Sequence, residues 1–394
     1  MRPRFSRTLP AFLTDPRVLL GIFVAAAIVA TLQKISGGTY QSGGLTYPPF
    51  QNYVIFRNAF HHLMAGLDLY AAFPQEQADL FKYSPAFALL MALIAALPYT
   101  AGAIAWNVIN ALALFGAVMW VPTLGARAKA FTLWFVLVNL VSSMQSAQSN
   151  GLMAGLMVAA FAARERNRDG AAALSVVAAA FLKPFGGMAL LPCLARPARA
   201  RFLAYAVIWG IVFTLAPLAV VSLRHLAFLY GSWFHLLQSD HGVKVGTSVM
   251  SWLRAWFGLV PPKNLVMAVG GVLLLLPLAR PAVLADRNAR PFLIASVLIW
   301  VVIFNYMAEP PTYVIAVLGV ALWYVSQPAS KLNTSLLAGT FLLTCLAATD
   351  VYPRSVRAQL ISPFVLRAVP CIAVWLKVQY DLLTRRIDPL QPDR

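Results

Sequence analysis

Acidic side chains are scarce: thirteen aspartates and glutamates stand among 394 residues, and charged residues of both signs make up only 11% of the chain. Soluble domains carry about a quarter charged residues, so a water-exposed globule of this size is excluded. Cysteine is scarcer still. The three present, Cys193, Cys345 and Cys371, lie within apolar runs without a CxxC partner, which excludes a disulfide framework and a cysteine zinc site and leaves packing as their role. Asp68, Glu76 and Asp79 are spaced too loosely for a metal-binding set, so no metal and no other cofactor is expected. Fixed-period repeats and low-complexity linkers are lacking too, and a single domain over residues 1–394 is the simplest organisation.

What is abundant is apolar sequence: 60% of the residues are hydrophobic and the mean hydropathy is +0.73. Runs at 18–32, 202–223, 265–278 and 291–304 are long and nearly charge-free, as bilayer-spanning helices of about 20 residues must be. Barrel strands would be half as long and would alternate polar with apolar. The expectation is an all-α polytopic membrane protein with about twelve helices, near 18–35, 84–98, 101–121, 131–146, 151–163, 171–194, 202–222, 264–279, 291–307, 310–326, 333–349 and 361–380. The net charge of +18 falls in short blocks between these runs, such as Arg196/Arg199/Arg201 and Arg280/Arg287/Arg290. That is the positive-inside pattern of a plasma (inner) membrane protein with both termini cytoplasmic, and it argues against nucleic-acid binding. The first run follows a basic segment as a signal peptide does, but no small-residue cleavage site follows Lys34, so it reads as a retained helix. Between 123 and 201 strict alternation conflicts with the charge rule, because the Arg127/Lys129 and Arg164/Arg166/Arg168 loops would fall outside. Breaking 171–194 at Lys183-Pro184 brings Arg164 to Arg168 inside but makes the helix count odd.

Two polar-containing stretches, 37–83 and 224–263, both follow outward-going helices and should share the external face. In the first, Tyr53, Phe56, Phe60 and Leu63 recur at helical spacing beside polar residues, as in an amphipathic helix lying on the interface. In the second, Trp252, Trp256 and Phe257 beside Arg254 suggest another interfacial segment. All five histidines, His61, His62, His225, His235 and His241, lie in these stretches, as do Asp68, Glu76, Asp79 and Asp240. Glu309 and Asp350 follow outward-going helices. External loops collect polar residues for solubility alone, and His225 and His235 fit that reading as well as any chemical one.

Charge inside an apolar run is a sharper signal, because a lysine at bilayer depth costs on the order of 3 kcal/mol and faces a cavity or snorkels to an interface. Lys183, in Leu182-Lys183-Pro184-Phe185, is the clearest case. Pro184 breaks the helix there, and such breaks persist where backbone lines a polar pocket. An anion such as phosphate is its natural partner. Gln145-Ser146-Ala147-Gln148-Ser149-Asn150 forms a second polar island, a turn or a set of amides for sugar hydroxyls. Glu309-Pro310-Pro311-Thr312 is a third.

The order Asn52 to Ala59, Gly66-Leu67-Asp68-Leu69-Tyr70, Phe81-Lys82-Tyr83-Ser84-Pro85, Leu97-Pro98, Gln148-Ser149-Asn150-Gly151-Leu152 and Leu182-Lys183-Pro184-Phe185 resembles glycosyltransferase family 87, best over about 20–223. Ser239-Asp240-His241, Ser248-Val249-Met250 and Ala308 to Thr312 resemble one branch of it, in a more variable half over 224–394. The resemblance implies a GT-C fold with short interfacial helices in the first external loop. It further implies transfer of a sugar, often mannose, from a polyprenyl-phosphate donor to an acceptor hydroxyl on a lipid or glycan, with inversion and without a nucleotide sugar. Under it, Lys183 with Arg57, Lys82 and His241 holds the donor phosphate, and Asn52, Tyr83, Gln148 and Asn150 contact substrate. One departure stands out. The family commonly has aspartate where this chain has Asn52, and an amide is no general base. Asp68, in the loop that usually supplies the base, is the first substitute, although its setting equally suits a capping turn. Asp240 and then Glu309 follow. A transporter or lipid flippase with Lys183 lining its pathway fits some of the same features, but no duplicated halves are visible. A membrane-embedded ligase or acyltransferase, or a catalytically altered relative, also remains open.

Overall fold

The computed structural model describes residues 10–196, 198–239 and 246–384. Helix α1 (Pro16–Ser36) opens on Asp15, whose carboxylate accepts the Arg17 N–H at 2.7 Å, with proline at the first helical position. Both features satisfy or remove the unpaired donors of a helix start. A small antiparallel hairpin, β1 (Tyr40–Ser42) with β2 (Leu45–Tyr47), pairs Tyr40 with Tyr47. The amphipathic stretch folds as α2 (Gln51–Met64), and its Phe56 meets the rings of Tyr83, Phe87 and Trp106 edge-on.

The run at 84–98 departs from expectation. It forms two short helices, α3 (Pro85–Leu90), capped by the Ser84 hydroxyl, and α4 (Ala92–Ala95). The chain then returns to Tyr99, whose hydroxyl accepts the Phe50 N–H at 3.2 Å. This segment therefore starts and finishes beside α2 instead of crossing. Helices α5 (Tyr99–Trp120), α6 (Ala126–Gln145), α7 (Asn150–Glu165) and α8 (Asp169–Leu182) follow. The run at 171–194 also departs, because Lys183-Pro184 ends α8. A 3₁₀ turn at Pro184–Ala189 and α9 (Leu190–Leu194) lead the chain back until the Cys193 carbonyl meets the Arg164 guanidinium at 3.1 Å. Proline has no N–H to continue the ladder and clashes with the preceding turn.

These two changes settle where the basic loops lie. Arg166 donates to the Trp120 carbonyl and Lys129 to the Met119 carbonyl, while Glu165 pairs with Arg196 and Arg290. Asp169 pairs with Arg164 and Arg201. The loops after α5, α7 and α9 thus share one end of the bundle, and the positive-charge conflict disappears.

Then come α10 (Arg199–Leu215), α11 (Leu223–Ser239), α12 (Val249–Phe257), α13 (Lys263–Leu275), α14 (Pro281–Ala285), α15 (Arg290–Ile303), α16 (Tyr313–Val325), α17 (Lys331–Thr340), α18 (Arg354–Val356) and α19 (Val369–Thr384). The second polar stretch is therefore largely helical, in α11 and α12. It lies against the first: the Ser232 hydroxyl donates to Asp68 at 2.8 Å and the Trp233 indole to the Lys82 carbonyl at 3.2 Å.

Among the described residues, four helical stretches are long and apolar enough to cross a bilayer, Pro16–Ser36, Tyr99–Trp120, Arg199–Ala219 and Lys331–Ala348. Other apolar segments are shorter and broken. Every residue of α15 is buried, whereas α10 buries only Phe202 and exposes Val207, Ile208 and Ile211. A helix that saturates its backbone hydrogen bonds while presenting apolar side chains outward suits lipid, not water. Close contact elsewhere depends on glycine. A Cβ on Gly186 would lie 2.4 Å from the Ala179 carbonyl oxygen and 2.7 Å from the Met153 sulfur. Gly186→Ala should therefore push the turn after Lys183 off α8, costing about 1–3 kcal/mol. Thermal unfolding in detergent checks this, and an unchanged midpoint would contradict the packing.

Candidate functional site

Three polar islands that are far apart in sequence converge at the end of the bundle opposite the basic loops. Lys183, released from α8 by Pro184, donates from Nζ to Asn150 Oδ1 at 2.9 Å. The Asn150 amide donates in turn to Gln148 Oε1, and Gln148 Nε2 donates to Glu309 Oε2 at 2.6 Å. An amide has a donor and an acceptor end, so the two amides link cation to carboxylate with every hydrogen bond correctly polarised. Asn150 is fully buried, Lys183 and Gln148 are partly buried, and Glu309 is exposed.

Each member is held by its own local structure. Asn150 is the first residue of α7, and the turn before it is fixed by Trp106, whose indole donates to the Ala147 carbonyl at 2.9 Å. Tyr83 reaches the same turn, its hydroxyl 3.1 Å from that of Ser149 and its ring face 5.7 Å from Lys183 Nζ. Phe185 lies 5.9 Å from the same ammonium. Glu309 caps the single turn Pro310–Thr312 through a reciprocal capping box with Thr312. That capping is a structural duty, yet it also fixes a carboxylate at the exposed end of the chain of amides.

The other expected residues are distributed less favourably. Asp68 has both oxygens occupied, Oδ1 by the Tyr70 N–H at 3.1 Å and Oδ2 by Ser232. It fastens α11 to the first loop, and its capping-turn reading is the better supported. Tyr70 donates to the Tyr83 carbonyl at 3.0 Å, and burial holds its phenol well above the ordinary range, so it stays a neutral donor. Arg57 donates to the Ala95 carbonyl at 3.3 Å, and Lys82 pairs with Asp79 at 3.7 Å. Neither of these contacts belongs to the Lys183 chain. Among the remaining candidates, His62 is taken up by Glu76 at 2.9 Å and Asp350 by Arg357 at 2.8 Å. Asp240 and His241 lie outside the described residues.

Asn52 does reach the site, donating from Nδ2 to the Ser146 carbonyl at 2.8 Å. An aspartate there would set a carboxylate against that carbonyl oxygen. Asn52→Asp should therefore lower stability by about 1–3 kcal/mol through a partly buried mismatch of two acceptors. A variant whose thermal midpoint in detergent equals the parent's would contradict this geometry.

An apolar groove of about 230 Å³ reaches the last residue of α8, Leu182. Its walls include Phe87, Met91, Trp106, Leu152, Phe181 and Leu182, the last adjacent in the chain to Lys183. Aromatic and aliphatic character at 84–91 and 181–182 was visible in the sequence, but only the fold shows that these segments face one another. Ser146 and Ser149, both within the polar island, meet Asn52 and Tyr83, contacts that the sequence alone does not show. Among the described residues no cluster of histidine, cysteine, aspartate or glutamate is arranged to hold a metal ion.

The sequence model of glycosyltransferase family 87 matches residues 81–349. That span takes in Lys183 and Glu309 and leaves out Asn52 and Asp68. Among solved structures, ArnT from Cupriavidus metallidurans bound to undecaprenyl phosphate is similar with a TM-score of 0.48 and 16% identity, over 92% of this chain and 76% of that one. Its apo state gives 0.47 and 17% with the same coverage. The similarity is too distant to transfer residues or substrates. None of the curated proteins matches significantly.

Proposed function

The chain belongs to glycosyltransferase family 87, and from that premise we propose that it transfers a sugar from a polyprenyl-phosphate carrier to an acceptor hydroxyl. The observation that carries this reading is the position of Lys183, which follows the groove-lining Leu182 in the chain and heads a polar chain that ends on Glu309. A lipid-linked sugar phosphate has the same three parts in the same order. Its first isoprene units suit the groove, its phosphate suits the ammonium, and its sugar is left among Asn150, Gln148 and Tyr83.

In the proposed step the acceptor oxygen attacks the anomeric carbon on the face opposite the phosphate. The bond between that carbon and the phosphate oxygen breaks, and its electron pair leaves with the polyprenyl phosphate. The acceptor proton passes to Glu309 as general base. Lys183 stabilises the charge that accumulates on the leaving phosphate. A single displacement inverts the anomeric configuration. By the family pattern the sugar is a hexose of the mannose type, and the acceptor is a lipid or glycan. With the basic end of the bundle taken as cytoplasmic under the positive-inside rule, the proposed site opens to the external face of the inner membrane.

Purified protein given polyprenyl-phosphate hexoses and an acceptor should release free polyprenyl phosphate in step with product. No release with any hexosyl donor, from protein that is folded, would overturn the proposal.

A further inference from the structure

A second cavity of about 250 Å³ lies against the turn that follows Glu309, lined by Thr247, Ser251, Pro310, Ser362 and Arg367 among others. Pro310 follows Glu309 directly, so the cavity and the candidate base share one turn of chain. Arg367 stands out within it. Its Nη2 donates to the Ala347 carbonyl at 2.5 Å, whereas its Nη1 is buried and has no hydrogen-bond partner. Among the described residues it forms no ion pair, and the arginine whose charge acts on it, Arg357, is already engaged by Asp350.

Burying a guanidinium with neither a carboxylate nor a full set of acceptors is costly, and natural structures retain such groups where a ligand supplies the counter-charge. Among the described residues the cavity offers hydroxyls together with the cation and no carboxylate, a combination selective for an oxyanion. Its floor is built for the purpose of holding shape: the Gly246 and Thr247 amides donate to the Tyr306 and Ala308 carbonyls at 2.8 and 2.7 Å, and Tyr313 donates to the Thr247 carbonyl at 2.8 Å.

We propose that this cavity binds a phosphate carried by the acceptor, with Arg367 as its cation, so that the acceptor is an anionic molecule whose reacting hydroxyl is presented to Glu309. The proposal rests on the transferase reading for the word acceptor, but the binding of phosphate by Arg367 does not. Lys183 and Arg367 then serve two different phosphates, one leaving with the donor carrier and one staying with the acceptor. The phosphate belongs either to a lipid headgroup or to a water-soluble glycan phosphate.

Full-length protein in neutral detergent, titrated with short-chain phosphatidylglycerol or with glycerol 3-phosphate and read by native mass spectrometry, tests this. At least one probe should bind, and Arg367→Gln should weaken it about tenfold or more while Lys183→Gln leaves it unchanged. Arg367→Lys, which keeps the charge, should retain part of the binding and guards against a simple folding defect. Binding of the lipid alone assigns a headgroup, and binding of glycerol 3-phosphate assigns a soluble phosphate. Binding of neither, or equal binding by Arg367→Gln, overturns the site. Polyprenyl phosphate should respond to Lys183→Gln and not to Arg367→Gln. Failure of that arm alone would sink the transferase geometry and leave the Arg367 site standing.

Discussion

Lys183→Gln should lower kcat/KM for a polyprenyl-phosphate sugar by about a hundred- to a thousandfold, the loss seen when one preorganised charge-stabilising group is removed. The reason is a change in charge during the step. The donor is a phosphodiester with one negative charge, and the departing carrier is a monoester approaching two. A cation beside it therefore binds the transition state more tightly than the ground state, so kcat should fall together with donor affinity. Glutamine retains hydrogen bonding toward Asn150, whose Oδ1 the lysine now engages at 2.9 Å, and the fold should survive. Steady-state rates over a range of donor concentrations make the check. A rise in KM with kcat intact would mean that Lys183 only holds the donor.

Glu309→Gln should lower kcat by about two to four orders of magnitude, the span usually lost with a general base. The amide retains an oxygen that can accept from Gln148, as the carboxylate does at 2.6 Å, but it cannot take a proton from the acceptor. Asp68→Asn should behave differently. It keeps the turn to Tyr70 and weakens only the tie to Ser232, which spans 164 positions of sequence, costing about 1 kcal/mol of stability and leaving kcat within a fewfold. The contrast between the two variants assigns the base. Near-normal turnover by Glu309→Gln with collapse in Asp68→Asn would reverse the assignment.

The parts of this site that were legible in the sequence share one property: each is a polar group where the surroundings are apolar. Lys183, the Gln145 to Asn150 island and the Glu309 turn were all singled out on that ground, and the fold brings them into one hydrogen-bonded chain. Their mutual contact was not legible, because no local pattern records that Gln148 meets a residue 161 positions away. The preference for Asp68 came from the family's usual loop and not from the residue's own surroundings, and the Ser232 hydroxyl that occupies it lies on another helix. Arg367 was overlooked although the rule that found Lys183 applies to it equally, since it too interrupts an apolar run.

The helices tell a similar story. An apolar run of fifteen residues at 84–98 satisfies a hydropathy criterion whether the chain crosses or turns back, and only the Ser84 cap, the pieces α3 and α4 and the Tyr99 contact with Phe50 show which it does. At 171–194 the decisive residue, Pro184, was in plain view. Breaking the helix there conflicted with an even count only because 84–98 had been given a crossing of its own.

A structure of the full chain with polyprenyl phosphate bound tests the central claim most directly. The phosphate should lie within hydrogen-bonding distance of Lys183 Nζ, with the first isoprene units between Phe87, Phe181 and Leu182. A phosphate seated instead at the Arg164 end of the bundle, with that groove empty, would contradict the account.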